Sequence, residues 1–199
     1  MTAIVAILLA AGESTRMGQL KALLPWGGTT LFEYQIGELH RSLVSETIVV
    51  LGHGAEQLDP LARPGRTRVI VNPNYRWGRS SSIRVGLQAI ADEPAAIVVT
   101  SVDQPRPAAV IDSLVRDHLR RNGLITRPVY RAQHGHPPVF SGRLLPELRR
   151  VTEEKSGLKE VLQKHQSQVY DLDLDDPVVL LNLNSPQDYE AALRRDPSV

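Results

Sequence analysis

The chain has 199 residues, 42% hydrophobic and 23% charged, enough for one domain with a sizeable core. Lys and Arg total 23 against 22 Asp and Glu, a formal charge of +1, so the balance asks for no nucleic acid and any basic character that matters is local. The absence of cysteine excludes a disulfide scaffold, thiolate metal sites, iron–sulfur clusters and a cysteine nucleophile, and it fits a reducing cytoplasm.

The first apolar stretch, Ala3 to Ala11, has no basic leader and runs straight into a glycine turn, which marks a buried strand rather than a signal peptide. No run nears the ~20 apolar residues of a membrane span. Short β-branched runs follow at Thr47 to Leu51, Arg68 to Val71 and Ile97 to Thr100, and with Ile4 to Leu9 they read as strands buried on both faces. Between them, Leu31, Tyr34, Ile36, Leu39 and Leu43, then Ile83, Leu87 and Ile90, keep helical spacing. Strand and helix alternate, the signature of a mostly parallel central sheet covered on both sides, a Rossmann-like three-layer αβα fold. A helix over Ala108 to Arg121 presents Val110, Ile111, Leu114, Val115 and Leu119 as its apolar face. Leu124 to Tyr130, His136 to Phe140 and Val169 to Leu172 then read as shorter, mixed strands, with helices near Leu144 to Val151 and Leu158 to His165. Pro186 to Arg195 closes the chain as a helix, with Asn184 or Ser185 as its cap. We expect one domain over residues 1–199, with a nucleotide-binding half (1–105) and an acceptor-binding half (106–199).

The loop after the first strand reads Leu9-Ala10-Ala11-Gly12-Glu13-Ser14-Thr15-Arg16-Met17-Gly18, with Lys21 three residues on. Ligands of an open parallel sheet sit beyond the carboxyl ends of its strands, where a glycine-rich turn presents backbone N–H groups to a phosphate. Gly12 and Gly18 free the backbone, Ser14 and Thr15 add hydroxyls, and Arg16 and Lys21 add charge. Loss of either charge-assisted bond is worth roughly 1.5–3 kcal/mol, about 10- to 100-fold in affinity. The glycines are six apart and Lys21 lies outside Walker spacing, and the dinucleotide fingerprint is absent too. Taken alone, the loop is equally an ordinary glycine turn with solvated cations.

Three other places carry chemistry. Gly78 followed by Ser80, Ser81 and Ser82 ahead of an amphipathic segment is either a helix cap or a helix N-terminus that reads a ribose or a base edge. Asp103, just past a buried strand in the turn Asp103-Gln104-Pro105, is either a cap or a ligand holding Mg²⁺ against phosphate oxygens. His134 and His136, two apart, fall on one face of a strand, with no third metal ligand evident.

The opening string closely resembles the signature of the MobA-like nucleotidyltransferases, matching it at Leu9, Ala10, Ala11, Gly12, Ser14, Arg16, Met17, Gly18 and Lys21. The resemblance extends from Ile4 to Tyr189. It implies a nucleotide cradle of Leu9, Ala10, Ala11, Gly12, Ser14 and Gly18, with Arg16 and Lys21 neutralising transition-state charge. It also implies that Asp103 serves catalysis through the metal. The Gly78 to Leu87 segment resembles the G-x-S-x-S-[LIV]-R-x-G-L pattern of the molybdenum cofactor cytidylyltransferase branch, which adds Gly78, Ser80 and Ser82 to the nucleotide site and favours CTP over GTP. Gly135-His136-Pro137 is similar to a turn on that branch's acceptor side, so these residues and Gln104 are assigned to acceptor binding.

The segment Leu180 to Tyr189 resembles the family's closing motif, which places Asn184 with Asp103 as a metal ligand and leaves Asn182 where many relatives carry Asp. Thr152 to Leu162 keeps Gly157 and Lys159 of a further element but loses its aspartate. The implied function is a Mg²⁺-dependent, cytoplasmic nucleotidyltransferase that moves CMP from CTP to a phosphate-bearing acceptor and releases pyrophosphate. The implied acceptor is the molybdenum-bearing molybdopterin cofactor, with a molybdenum hydroxylase or its maturation factor as partner. The rival readings are a transferase using GTP or another acceptor, and a non-catalytic nucleotide or cofactor chaperone. A redox enzyme on the same scaffold has no dinucleotide fingerprint or redox side chain to support it.

Overall fold

The computed structural model describes residues 3–62 and 65–195. In chain order the elements are β1 (Ile4–Ala10), β2 (Pro25–Trp26), β3 (Thr29–Thr30), α1 (Leu31–Arg41), β4 (Glu46–Leu51), α2 (Ala55–Leu58), β5 (Thr67–Val71), α3 (Arg79–Gln88) and β6 (Ala96–Ser101). They continue as α4 (Ala108–Arg121), β7 (Ile125–Tyr130), β8 (Gln133–His134), β9 (Val139–Ser141), α5 (Leu145–Leu148), α6 (Leu158–Lys164), β10 (Val169–Asp173) and α7 (Pro186–Arg195). The main sheet runs β10-β7-β9-β6-β1-β4-β5, with β8 paired to β7, and β2-β3 form a separate hairpin. The strands from β5 to β6 are all parallel, and only β9 and β8 run antiparallel to their neighbours.

Period-two alternation sorts β1 between two cores. Ile4, Ala6, Leu8 and Ala10 face the one built with α1, α4 and α7, while Val5, Ile7 and Leu9 face the one built with α3, α5 and α6. Both faces of the strand are buried, as its unbroken apolar run requires. Helix α1 starts on a capping box missed from the sequence: Glu33 N donates to Thr30 Oγ1 and Thr30 N donates to the Glu33 carboxylate. The cap of α7 is Ser185, which exchanges the same pair of bonds with Asp188.

Several expectations need correction. The β5 strand is the sheet edge and is only half-buried, because no strand covers its far side. Leu119 and Leu43 are exposed. His118 takes the inward place on α4, with Nδ1 3.0 Å from Thr126 Oγ1, and Leu43 falls beyond the end of α1. The strand expected from His136 begins only at Val139, since Pro137 and Pro138 have no N–H for a ladder. His134 and His136 therefore share no strand face. His134 lies on β8, 3.5 Å from Asp171.

From β1 the chain moves outward to β4 and β5, then returns to place β6 on the other side of β1. The loops after β1 and β6 thus diverge from adjacent strands at the carboxyl edge, leaving a cleft at this topological switch point. Among the described residues, no helix is long and apolar enough to cross a membrane.

Candidate active site

The loop after β1 folds back on itself through Ser14. This residue, not Gly12, takes the left-handed conformation (φ 54°, ψ 31°), opens a tight turn over Thr15–Met17, and accepts the Lys21 N–H on its Oγ at 3.1 Å. Gly18 ends that turn at φ 67°, where a side chain would be strained. Gly12 differs. Apart from Gly12 and its two chain neighbours, no protein atom lies within 4 Å of where its Cβ would stand, and it lines a cavity, so its missing side chain leaves open space against the backbone.

The second turn, Lys21–Leu23, turns the lysine inward. It is 8% exposed, and its Nζ donates to Asp103 Oδ2 at 3.0 Å, joining the loops after β1 and β6 across the switch point. Asp103 is held by its backbone: Leu183 N donates to Asp103 O at 2.8 Å, which brings Asn184 into the same cavity wall. Gln35, 1% exposed on α1, fixes the loop from below by donating to Ser101 O and Gln104 O at 3.0 and 2.7 Å. Arg106, fully buried, reaches further, donating to His136 O, Pro105 O, Val179 O and Leu181 O at 2.8–2.9 Å. It ties the Gly135-His136-Pro137 turn to the Asp103 loop. Both residues escape a sequence reading because their bonds cross more than 30 positions or end on main-chain atoms.

The cavity measures about 600 Å³. Leu9, Ala10, Ala11, Gly12, Ser14, Arg16, Lys21, Gly78, Ser82, Asp103 and Asn184 line it. Gly18, Ser80, Gln104 and the 135–137 turn do not. The N-terminus of α3 is not open: Ser80 N donates to Glu153 Oε2 at 2.9 Å. Gly78 has φ 96°, and a Cβ there would come within 2.7 Å of Glu153 Cδ. Bonding to Ser80 holds the Glu153 carboxyl below the usual range. The segment that lacks the expected aspartate thus carries a carboxylate that clamps α3. Gln104 Oε1 and Asn182 Oδ1 are buried without a hydrogen-bond partner among the described residues, and Asn182 faces a different cavity, beside Trp26 and Leu181.

His136 keeps an exposed edge, yet the protein packed around its ring and the guanidiniums of Arg79 and Arg106 push its pKa down to about 4, against the pull of Asp103. It is neutral at pH 7. Among the cavity residues that escaped the sequence reading are Tyr75; Arg76, paired with Glu13 at 2.7 Å; and Arg79, bonded to Ser101 Oγ at 2.9 Å.

Two carboxylates, Asp103 and Glu13, and the amide of Asn184 line this cavity; Glu13 is paired with Arg76, which leaves Asp103 and Asn184 as the candidate metal ligands, and among the described residues no cluster of three His, Asp or Glu could cage a metal. That donor set suits Mg²⁺, which takes one or two protein oxygens and completes its octahedron with phosphate and water. An open cradle, cations on two walls and the Asp103 carboxylate beside Lys21 suit phosphoryl chemistry. A family model of the MobA-like NTP transferase domain matches residues 6–169, spanning both loops.

The chain belongs to the MobA-like NTP transferase domain family. It is 28% identical to a molybdenum cofactor cytidylyltransferase of Escherichia coli (strain K12) over 98% of both chains. It is 30% identical to the nicotine blue oxidoreductase of Paenarthrobacter nicotinovorans, over 79% of this chain and 80% of that one. The crystal structure of Rv0371c from Mycobacterium tuberculosis H37Rv superimposes with a TM-score of 0.84 at 26% identity, covering 97% and 98% of the two chains. The complex of that protein with manganese gives 0.80 at 25% identity, covering 97% and 99%. The superimposed structures share the α/β fold with a mostly parallel sheet, and the family model makes this chain a nucleotidyltransferase by family.

Proposed function

We propose that this protein transfers CMP from CTP to a terminal phosphate on its acceptor. A phosphate oxygen of the acceptor attacks the α-phosphorus in line, a P–O–P bond forms, the bond to the β-phosphate oxygen breaks, and pyrophosphate leaves. The observation that carries the reading is the Lys21–Asp103 pair at 3.0 Å, inside a cavity whose glycine loop is bare at Gly12. In the resting site cation and anion neutralise each other. When nucleotide binds, Lys21 and Arg16 turn to the phosphates, with the backbone and hydroxyls of the 11–18 loop. Asp103 and Asn184 would hold Mg²⁺, which when bound supplies charge neutralisation at the phosphate oxygens. The protein's part is position and electrostatics, since phosphoryl transfer leaves little covalent chemistry to side chains.

Support for CTP comes from the Gly78 to Leu87 pattern and from the cytidylyltransferase likeness, which runs nearly end to end. The same likeness supports the molybdenum-bearing molybdopterin cofactor as acceptor, with the 1–105 half binding nucleotide and the 106–199 half binding acceptor. Delivery of the product to a molybdenum hydroxylase or its maturation factor in the cytoplasm completes the proposal. Calorimetric titration of CTP and GTP with and without Mg²⁺ tests the first step. The expected result is Mg²⁺-dependent binding of CTP at least tenfold tighter than GTP, with the metal dependence lost in Asp103→Asn. Equal affinity for both bases overturns the CTP assignment.

A further inference from the structure

Among the described residues four cations line the cavity, and their pairings differ. Lys21 is bound to Asp103, and Arg76 to Glu13. Arg16 and Arg79 make no ion pair among the described residues. Arg16 stands on the loop after β1, whereas Arg79 opens α3 on another wall, where its guanidinium donates to the neutral hydroxyl of Ser101, two residues before Asp103. It belongs to the 1–105 half, yet its charge acts on His136 and Glu153, both from the 106–199 half proposed to bind the acceptor, so it stands where the two halves meet. Arg79 also occupies a variable place in the Gly78 to Leu87 pattern, so the resemblance gives it no task.

In-line displacement needs the attacking group and the leaving group on opposite sides of the α-phosphorus. With the leaving pyrophosphate on the Arg16 and Lys21 loop, the attacking phosphate has to be held from another wall. We infer that Arg79 is the anchor for the attacking phosphate of the acceptor, and so a determinant of acceptor class. This inference rests on the transferase reading above. A planar guanidinium fork matches a phosphate with two parallel N–H bonds, and a serine hydroxyl costs it little to give up. The site therefore selects acceptors ending in a phosphate monoester over acceptors ending in a hydroxyl group.

The test uses inorganic phosphate as the probe, titrated by phosphorus NMR into full-length protein saturated with Mg²⁺ and the non-hydrolysable α,β-methylene analogue of CTP. The wild type is expected to bind phosphate in this loaded state. Arg79→Leu should weaken that binding by about 10- to 100-fold while changing analogue affinity less than threefold, and Arg79→Lys should recover part of it. An unchanged melting temperature excludes misfolding of this exposed residue's variants. Phosphate affinity in Arg79→Leu within twofold of wild type, or no phosphate binding by the loaded wild type, overturns the inference and leaves the transferase reading intact. So does a parallel loss of analogue affinity, which would assign Arg79 to the triphosphate. Failure of the wild type to bind the analogue at all overturns the transferase reading, and this inference with it.

Discussion

Gly12→Ala separates what the loop does for the fold from what it does for a ligand. Beyond Gly12 and its two chain neighbours, the added Cβ meets no protein atom within 4 Å, and Gly12 does not sit in the left-handed region. Alanine there should cost the folded state nothing and should reduce the freedom of the unfolded chain, a gain of about 0.4–1 kcal/mol. For a chain of this size each kcal/mol moves the melting temperature by roughly 2–4 °C, so the variant should melt about 1–4 °C above wild type. The same methyl group projects into the 600 Å³ cavity, where a phosphate oxygen has to approach the backbone. Losing one or two charge-assisted bonds, each worth about 1.5–3 kcal/mol, should weaken Mg²⁺-CTP at least 10-fold. Differential scanning fluorimetry and calorimetry on one preparation read both quantities. A stable variant that binds nucleotide as tightly as wild type would refute the cradle, and a destabilised one would refute the steric reading.

Three further outcomes follow from the same geometry. Lys21→Met leaves the Asp103 carboxylate without its cation, so stability should fall by about 2 kcal/mol and nucleotide affinity by about 10- to 100-fold; the double variant with Asp103→Asn should regain stability but not affinity, measured by urea denaturation and calorimetry. Gly78→Ala forces a positive φ on alanine and drives its Cβ into Glu153, so the melting temperature should drop by at least about 3 °C, and removing the obstruction with Glu153→Ala should restore only part of it. Burial and the nearby Arg143 charge push the His118 pKa down from 6.5 to about 4. The unfolded chain therefore takes up a proton before the folded one. Its contribution to stability is full above about pH 7 and fades as pH falls towards 4, by about 2 kcal/mol between pH 7.5 and 5. Denaturation at the two pH values should show that loss in the wild type together with a similar one from His136, whose pKa is also pushed down to about 4, and His118→Gln should remove only its own share.

The parallel half of the fold was legible because β1, β4 and β6 are continuous apolar runs, and only strands covered on both faces afford that composition. The edge position of β5 was not, since sheet order is a long-range property and its run of Arg68, Val69, Ile70 and Val71 looks like the others. Proline explains the late start of β9, and a buried polar contact explains why His118 rather than Leu119 faces inward. At the site, the glycine loop and Asp103 could be found because each is a local string. Arg79, Gln35 and Glu153 could not, because their partners lie 22 to 73 positions away. A glutamine between the apolar residues Leu31, Phe32, Ile36 and Leu39 of α1 was the one local signal available, and in Gln35 it marks the residue that holds the Asp103 loop.

The most direct test of the account is pyrophosphate release by the purified protein supplied with Mg²⁺, the molybdenum-bearing molybdopterin cofactor, and either CTP or GTP. The account predicts turnover with CTP, little with GTP, and none in Asp103→Ala. Tight CTP binding without pyrophosphate release, or release that survives loss of the Asp103 carboxylate, would contradict it.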